Sequence, residues 1–153
     1  MTPRLRRLQA DYERVWHALN GHPHIQLAGV EGEPPERYLI DFHLQSLVPQ
    51  GETGFVAGAV HRAEIYLPLD YPRRAPVCRM LTPVFHPNID PQKICIGDHW
   101  SAGQTLPLLI SRIAQMLSYQ SYNVKSPLNA AAAAWAELHA AQLPTDRGDF
   151  VCD

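Results

Sequence analysis

Cys95 is the residue with the clearest chemical potential in this chain. It sits between Ile94 and Ile96, just before a glycine, inside a proline-punctuated stretch. A thiol in that setting is either a small buried hydrophobe or a nucleophile. Cys78 falls in an expected strand and Cys152 in an expected tail, and for both the buried, inert reading is the simpler one. A Cys-His hydrolase needs an imidazole to take the thiol proton. His86 and His99 are near in sequence, but His86 precedes a proline in a tight turn, which suits a structural ring bonded to backbone. Cys78, His86, Cys95 and His99 lack the paired spacing of a zinc site, so no metal is expected. Asn88 is the second candidate. Its side-chain amide can donate to an oxyanion, or it can bridge the backbone of a loop. A thiol and an amide without a nearby base point to acyl transfer through a thioester rather than to hydrolysis.

The elements that position these groups follow from periodicity. Leu5, Leu8, Tyr12, Val15, Trp16 and Leu19 recur at helical spacing, with Pro3 near the start and Gly21 past the end. Arg4, Arg6, Arg7 and Arg14 fall mostly off that stripe, as a solvated face or as a docking surface for an acidic partner. A weak strand at 25–30 is followed by strict alternation of Tyr38, Ile40, Phe42 and Leu44. Pro49, Gly51 and Gly54 mark a turn, Phe55 to Leu67 the next strand, and Val77 to Leu81 a shorter one. The simplest assembly is an antiparallel meander with the first helix on one face. Residues 68–104 show no period, yet their apolar content argues that they pack. Leu106, Leu109, Ile110, Ile113, Met116 and Leu117 form a second helix capped by Thr105. A third is expected from Ser126-Pro127 to about Ala141, with order ending around Pro144 and Gly148. Helices segregated from an antiparallel sheet make the fold α+β.

Composition bounds the function. The chain has 153 residues with 46% hydrophobic and 18% charged, so one domain spanning 1–153 and no disorder are expected. A net charge of −2 argues against a polyanion binder. Three cysteines make no disulfide framework and suggest a reducing compartment. No leader and no membrane-spanning stretch are seen, so a cytoplasmic location is expected. Basic residues divide into eleven arginines and only two lysines, Lys93 and Lys125.

Tyr71-Pro72-x-x-Ala75-Pro76, Phe85-His86-Pro87-Asn88-Ile89, Ile94-Cys95-Ile96, Trp100-Ser101 and Pro127-Leu128-Asn129 resemble the ubiquitin-conjugating enzyme family, in that family's order. The likeness extends from the opening helix through Ala63-Glu64-Ile65-Tyr66-Leu67-Pro68 over nearly the whole chain. It implies that Cys95 holds the C-terminus of a ubiquitin-like protein as a thioester. It implies that Asn88 stabilises the oxyanion or orders the active-site loop, with His86 and Pro87 as structural neighbours and Tyr71, Pro72 and Trp100 as part of the framework. Ser126, and less directly Asp98, would lie near the incoming amine, where a hydroxyl or carboxylate can orient a lysine. The first helix with its arginines would meet the activating enzyme, which is where ATP is used. The implied partners are therefore a modifier, an activating enzyme and a target protein. No cofactor, nucleic acid or membrane is implied.

The departures are also specific. The spans from Asn88 to Cys95 and from Cys95 to Trp100 are shorter than usual. Arg73 and Ser101-Ala102-Gly103 alter the surface that commonly docks a RING-type ligase, which makes an ordinary RING partner doubtful. A fourth helix is missing or rudimentary. The arginine excess and the alanine run fit a GC-rich bacterial genome, where relatives are encoded beside a ubiquitin-like protein, an activating enzyme and a peptidase, some in antiviral defence. The competing readings are a non-catalytic binding module of the same fold, which usually lacks the cysteine, and a cysteine hydrolase.

Overall fold

A computed structural model describes residues 1–52, 54–96, 100–143 and 146–152. Helix α1 spans Pro3–Leu19. The Thr2 hydroxyl accepts from the Leu5 N–H at 3.1 Å, and Pro3 occupies the first turn, where its missing N–H costs nothing. Gly21 follows with φ +76°, a left-handed conformation that favours glycine. Leu8, Val15 and Leu19 are buried, whereas Trp16 is about half exposed. The apolar periodicity therefore assigned one residue too many to the core face.

Strands β1 (Ile25–Glu31), β2 (Arg37–Gln50), β3 (Gly54–Tyr66) and β4 (Val77–Met80) form one antiparallel sheet in sequence order. This is the expected α+β meander. Tyr38, Ile40, Phe42 and Leu44 are buried, as are Ala63 and Ile65 on the neighbouring strand. The opposite face carries cross-strand ion pairs. Arg62 forks onto Asp41 at 2.7 and 2.9 Å, and Glu64 takes Arg37 and Arg79, each at 2.9 Å. Pro49 does not turn the chain. Strand β2 continues through it, with Pro49 opposite Phe55, and Gly51 (φ +68°) makes the turn.

Helix α2 spans Leu106–Leu117 and closes the core with Leu106, Leu109, Ile110, Ile113 and Leu117. Thr105 caps it, as its position suggests, accepting from the Leu108 N–H. Helix α3 is shorter than expected, spanning Ala130–Leu138, with a separate 3-10 turn at Ala140–Gln142. It is capped by Asn129, not by Ser126-Pro127. The Leu128 and Asn129 amides, just before it, donate to the Pro87 carbonyl.

Past the described part of the third helical region, Gly148 does not end the order. Phe150 and Cys152 return to the core, and the Cys152 N–H donates to Ser111 Oγ at 2.8 Å. Pro144 lies outside the described residues. No described helix is long and apolar enough to cross a membrane.

The first helix is tied to the rest by a buried carboxylate. Asp11 is fully buried, receives the Tyr71 hydroxyl at 2.6 Å and pairs with Arg7 at 3.1 Å. Burial pushes its pKa up, while Tyr71 and Arg7 pull it down. Removing only the cation leaves an uncompensated buried charge. Arg7→Met should lower the unfolding free energy by about 3 kcal/mol in urea melts, and Arg7→Met/Asp11→Leu should recover part of that loss.

Candidate functional site

The irregular stretch after β4 is held by a dense set of main-chain bonds. The Phe85 N–H donates to the Leu47 carbonyl at 2.8 Å, and the Phe85 carbonyl accepts the Tyr119 hydroxyl at 2.6 Å. The Pro87 carbonyl accepts from Leu128 and Asn129 at 2.8 and 3.1 Å. The Asn88 carbonyl accepts the Cys95 N–H at 2.9 Å. Between the last two residues lies a small hairpin, β5 (Ile89–Asp90) and β6 (Lys93–Ile94), that periodicity could not find because each strand has only two residues.

His86 is fully buried, and its Nδ1 accepts from the Asn88 N–H at 3.0 Å. Its ring packs against Tyr119, 4.7 Å between centroids. This is the structural imidazole expected from the sequence. Loss of water pushes its pKa down to about 4, with the Met116 carbonyl opposing. The Asn88 side chain is nearly buried and doubly engaged: Nδ2 donates to the Asn123 carbonyl at 2.8 Å, and Oδ1 accepts the Asn123 N–H at 2.9 Å. The bridging geometry left open by the sequence is thus present, with Asn123 as the partner.

Cys95 is exposed, whereas Cys78 and Cys152 are buried. Burial pushes the Cys78 thiol up to about 12, which keeps it inert. The Cys95 thiol borders an open cleft of about 500 Å³ shared with Asn88, Ile96, Arg112, Met116, Tyr122 and Ser126. Cys95, Asn88 and Ser126, more than thirty residues apart in sequence at the extremes, are therefore gathered in one place. No histidine lines the cleft among the described residues. Asp98, the fourth candidate, lies outside the described residues, as does His99. Sequence reasoning missed Asn123, Tyr122 and Arg112. Only a loop that must meet Asn88 would have pointed to the first.

The framework residues Tyr71, Pro72 and Trp100 meet one another. Trp100 Nε1 donates to the Pro72 carbonyl at 2.8 Å, and its ring lies 5.7 Å from Tyr71. Arg7 sits over the Tyr71 ring at 5.2 Å, and its NH2 group also donates to the Gln104 carbonyl at 2.7 Å. Arg4 donates to the Leu69 and Pro68 carbonyls at 3.1 and 3.2 Å. Arg4 and Arg7 are therefore turned onto the body of the protein, while Arg6, Arg14 and Arg73 are exposed.

Residues 21–143 match the family model described as ubiquitin-conjugating enzyme. Ubiquitin-conjugating enzyme E2 N of Macaca fascicularis is 32% identical over 124 residues, which cover 78% of this chain and 79% of that protein. The protein of the same name from Drosophila melanogaster is 33% identical over 94 residues, 59% of this chain and 61% of its own. Ubiquitin-conjugating enzyme E2 13 of Saccharomyces cerevisiae is 29% identical over 133 residues, 76% of this chain and 86% of its own.

Two outcomes test the motif. A His86 pKa near 4 in the folded state, against about 6.5 unfolded, means that the unfolded chain takes up the proton first. The stability due to this residue is complete above pH 6.5 and is lost as pH falls toward 4. Urea melts across that window should show a slope for the native protein that exceeds that of His86→Gln by up to about 1.4 kcal/mol per pH unit. In Asn88→Ala the Asn123 amide loses its acceptor, and its hydrogen exchange should accelerate at least about tenfold. Asn88→Asp keeps an acceptor there and should leave that amide protected.

Proposed function

The chain belongs to the ubiquitin-conjugating enzyme family, and on that premise we propose that Cys95 accepts the C-terminal acyl group of a ubiquitin-like protein as a thioester and passes it to an amine. Conjugation of ubiquitin-like proteins, with a modifier, an activating enzyme and a target as partners, is the work of the family. The observation that carries the finer reading is the exposed Cys95 thiol at a cleft shared with Asn88 and Ser126.

Charging is an exchange between thioesters. The Cys95 thiolate attacks the acyl carbonyl held by the activating enzyme, a new C–S bond forms, and the donor thiolate leaves. The reaction exchanges one thioester for another, so it needs no dedicated base in the cleft. In the second step a neutral amine attacks the same carbonyl, the C–N bond forms, the C–S bond breaks with Cys95 leaving as thiolate, and the nitrogen's extra proton passes to solvent. Both steps pass through an oxyanion. Asn88 Nδ2 gives one hydrogen to Asn123 and retains a second for that oxygen. Ser126, on the exposed rim, orients the amine, and we assign Asp98 the same task. Exposed Arg6 and Arg14 on α1 present positive charge to the activating enzyme. Exposed Arg73, beside the loop that holds Trp100, sets a guanidinium where an apolar contact would suit a RING-type ligase, so we infer that such a ligase is not the usual partner. The eleven-to-two excess of arginine over lysine supports a GC-rich, bacterial setting; a modifier and activating enzyme encoded alongside, with defence against viruses as the use, is what the family resemblance adds to this proposal.

Incubation with a matched activating enzyme, ATP and modifier tests the reading on denaturing gels. The native protein should give an adduct cleaved by thiol reductant, Cys95→Ser a stable ester, and Cys95→Ala none. Absence of a reductant-sensitive adduct on the native protein would sink the proposal.

A further inference from the structure

We propose that Gln120 is a positioning residue for the transfer step, through which the C-terminal segment 146–152 sets the wall of the Cys95 cleft. The inference rests on the thioester reading above. The wall carries Ser121, Tyr122, Asn123 and Ser126, and it leaves α2 through a sharp reversal. Tyr119 makes that reversal with φ +60°, the one positive φ outside glycine among the described residues. The conformation is costly for a bulky aromatic residue and persists only where the surroundings dictate it. Part of the support is local. The Gln120 and Ser121 amides donate to the Gln115 carbonyl at 2.9 and 3.1 Å. The other part comes from the far end of the chain. Gln120 Nε2 donates to the Asp146 carbonyl at 2.6 Å and to the Gly148 carbonyl at 3.0 Å, which uses both hydrogens of the amide.

The segment that receives those bonds is anchored. Phe150 and Cys152 are buried, and the Cys152 N–H reaches Ser111 on α2. Asp146 Oδ2 accepts the Gln45 N–H from β2 at 3.1 Å, and Asp146 Oδ1 accepts the Gly148 N–H at 3.0 Å. A side chain at Gly148 would meet the Phe150 ring at 2.9 Å, so the segment is closely fitted there. Gln120 itself is exposed, yet it bonds a fixed pair of carbonyls. The wall is thus held in its middle, at Asn123, by Asn88 and at its root by the tail. Charging needs only the exposed thiol, whereas the incoming amine must be oriented by groups on this wall. Slack at the root therefore slows transfer and spares charging.

A synthetic peptide with a C-terminal glycine thioester charges Cys95 by thiol exchange, and mass spectrometry of the intact protein then follows discharge to free lysine. Two hydrogen bonds are lost at one point in Gln120→Ala, so discharge at saturating lysine should fall at least about fivefold while charging stays within about twofold of native. Gln120→Glu keeps the length but turns oxygens onto the two carbonyls, and it should lose as much. In both variants the Asn123 amide should exchange faster than in the native protein. Native discharge in both would overturn the proposal, even with faster exchange at the Cys152 amide, because the bonds would then only tie down the tail. Slowed discharge matched by equally slowed charging would overturn it too. Either result leaves the thioester reading intact. Failure of the native Cys95 to take the acyl group at all would overturn both.

Discussion

The cleft depends on one constraint: the segment from Phe85 to Asn88 is largely buried outside any long strand, so its main-chain groups must find partners. Several of the partners they find are not local. Leu47 lies on β2, Tyr119 follows α2, and Leu128 and Asn129 precede α3. Satisfying one short segment therefore draws three distant parts of the chain to it. A fifth bond, from the Cys95 amide to the Asn88 carbonyl, fixes Cys95 against the same segment. His86 and Asn88 serve the constraint from the side-chain direction. The buried imidazole accepts the Asn88 amide, and its low pKa keeps it neutral, hence an acceptor, at physiological pH. The Asn88 amide then pins Asn123, and with it the rim that carries Ser126.

A second network holds the other side. The buried pair of Arg7 and Asp11 connects α1 to Tyr71, and Tyr71 stacks toward Trp100, which donates to the chain at Pro72. Arg7 reaches on to the Gln104 carbonyl. A buried ion pair of this kind is weak evidence for net stability, but its geometry specifies which loop meets which helix. The helix whose exposed arginines we assign to docking is thereby tied to Trp100 and Gln104.

Periodicity exposed the fold because burial acts on whole elements. Tyr38, Ile40, Phe42 and Leu44 alternate since one sheet face meets water and the other does not, and that pattern is local in sequence. The same logic failed where the deciding interaction is remote. Ser126-Pro127 has the chemistry of a helix start, yet the helix begins at Ala130, and the two residues after Pro127 are bonded to Pro87 from a distant part of the chain. Cys152 has the composition of a tail, yet Ser111 holds it in the core. Cys95 and Asn88 could be named as candidates from residue type, and the family motif singled them out. Asn123 could not, since a loop asparagine has no signature until its partner is placed.

The two roles open to Asn88 are compatible rather than alternative. A primary amide offers one oxygen and two N–H groups. Pinning Asn123 uses the oxygen and one hydrogen, and the exchange fixes the amide plane and its rotamer. An oxyanion donor is effective in proportion to how little it must reorganise when charge develops. The bond pair that orders the loop is therefore what would make the remaining hydrogen an effective donor. A shorter or longer side chain at this position would lose both functions together, and a carboxylate would keep the Asn123 amide while repelling the developing charge. In the proposed reaction, loop order and charge stabilisation would be two consequences of one fixed amide.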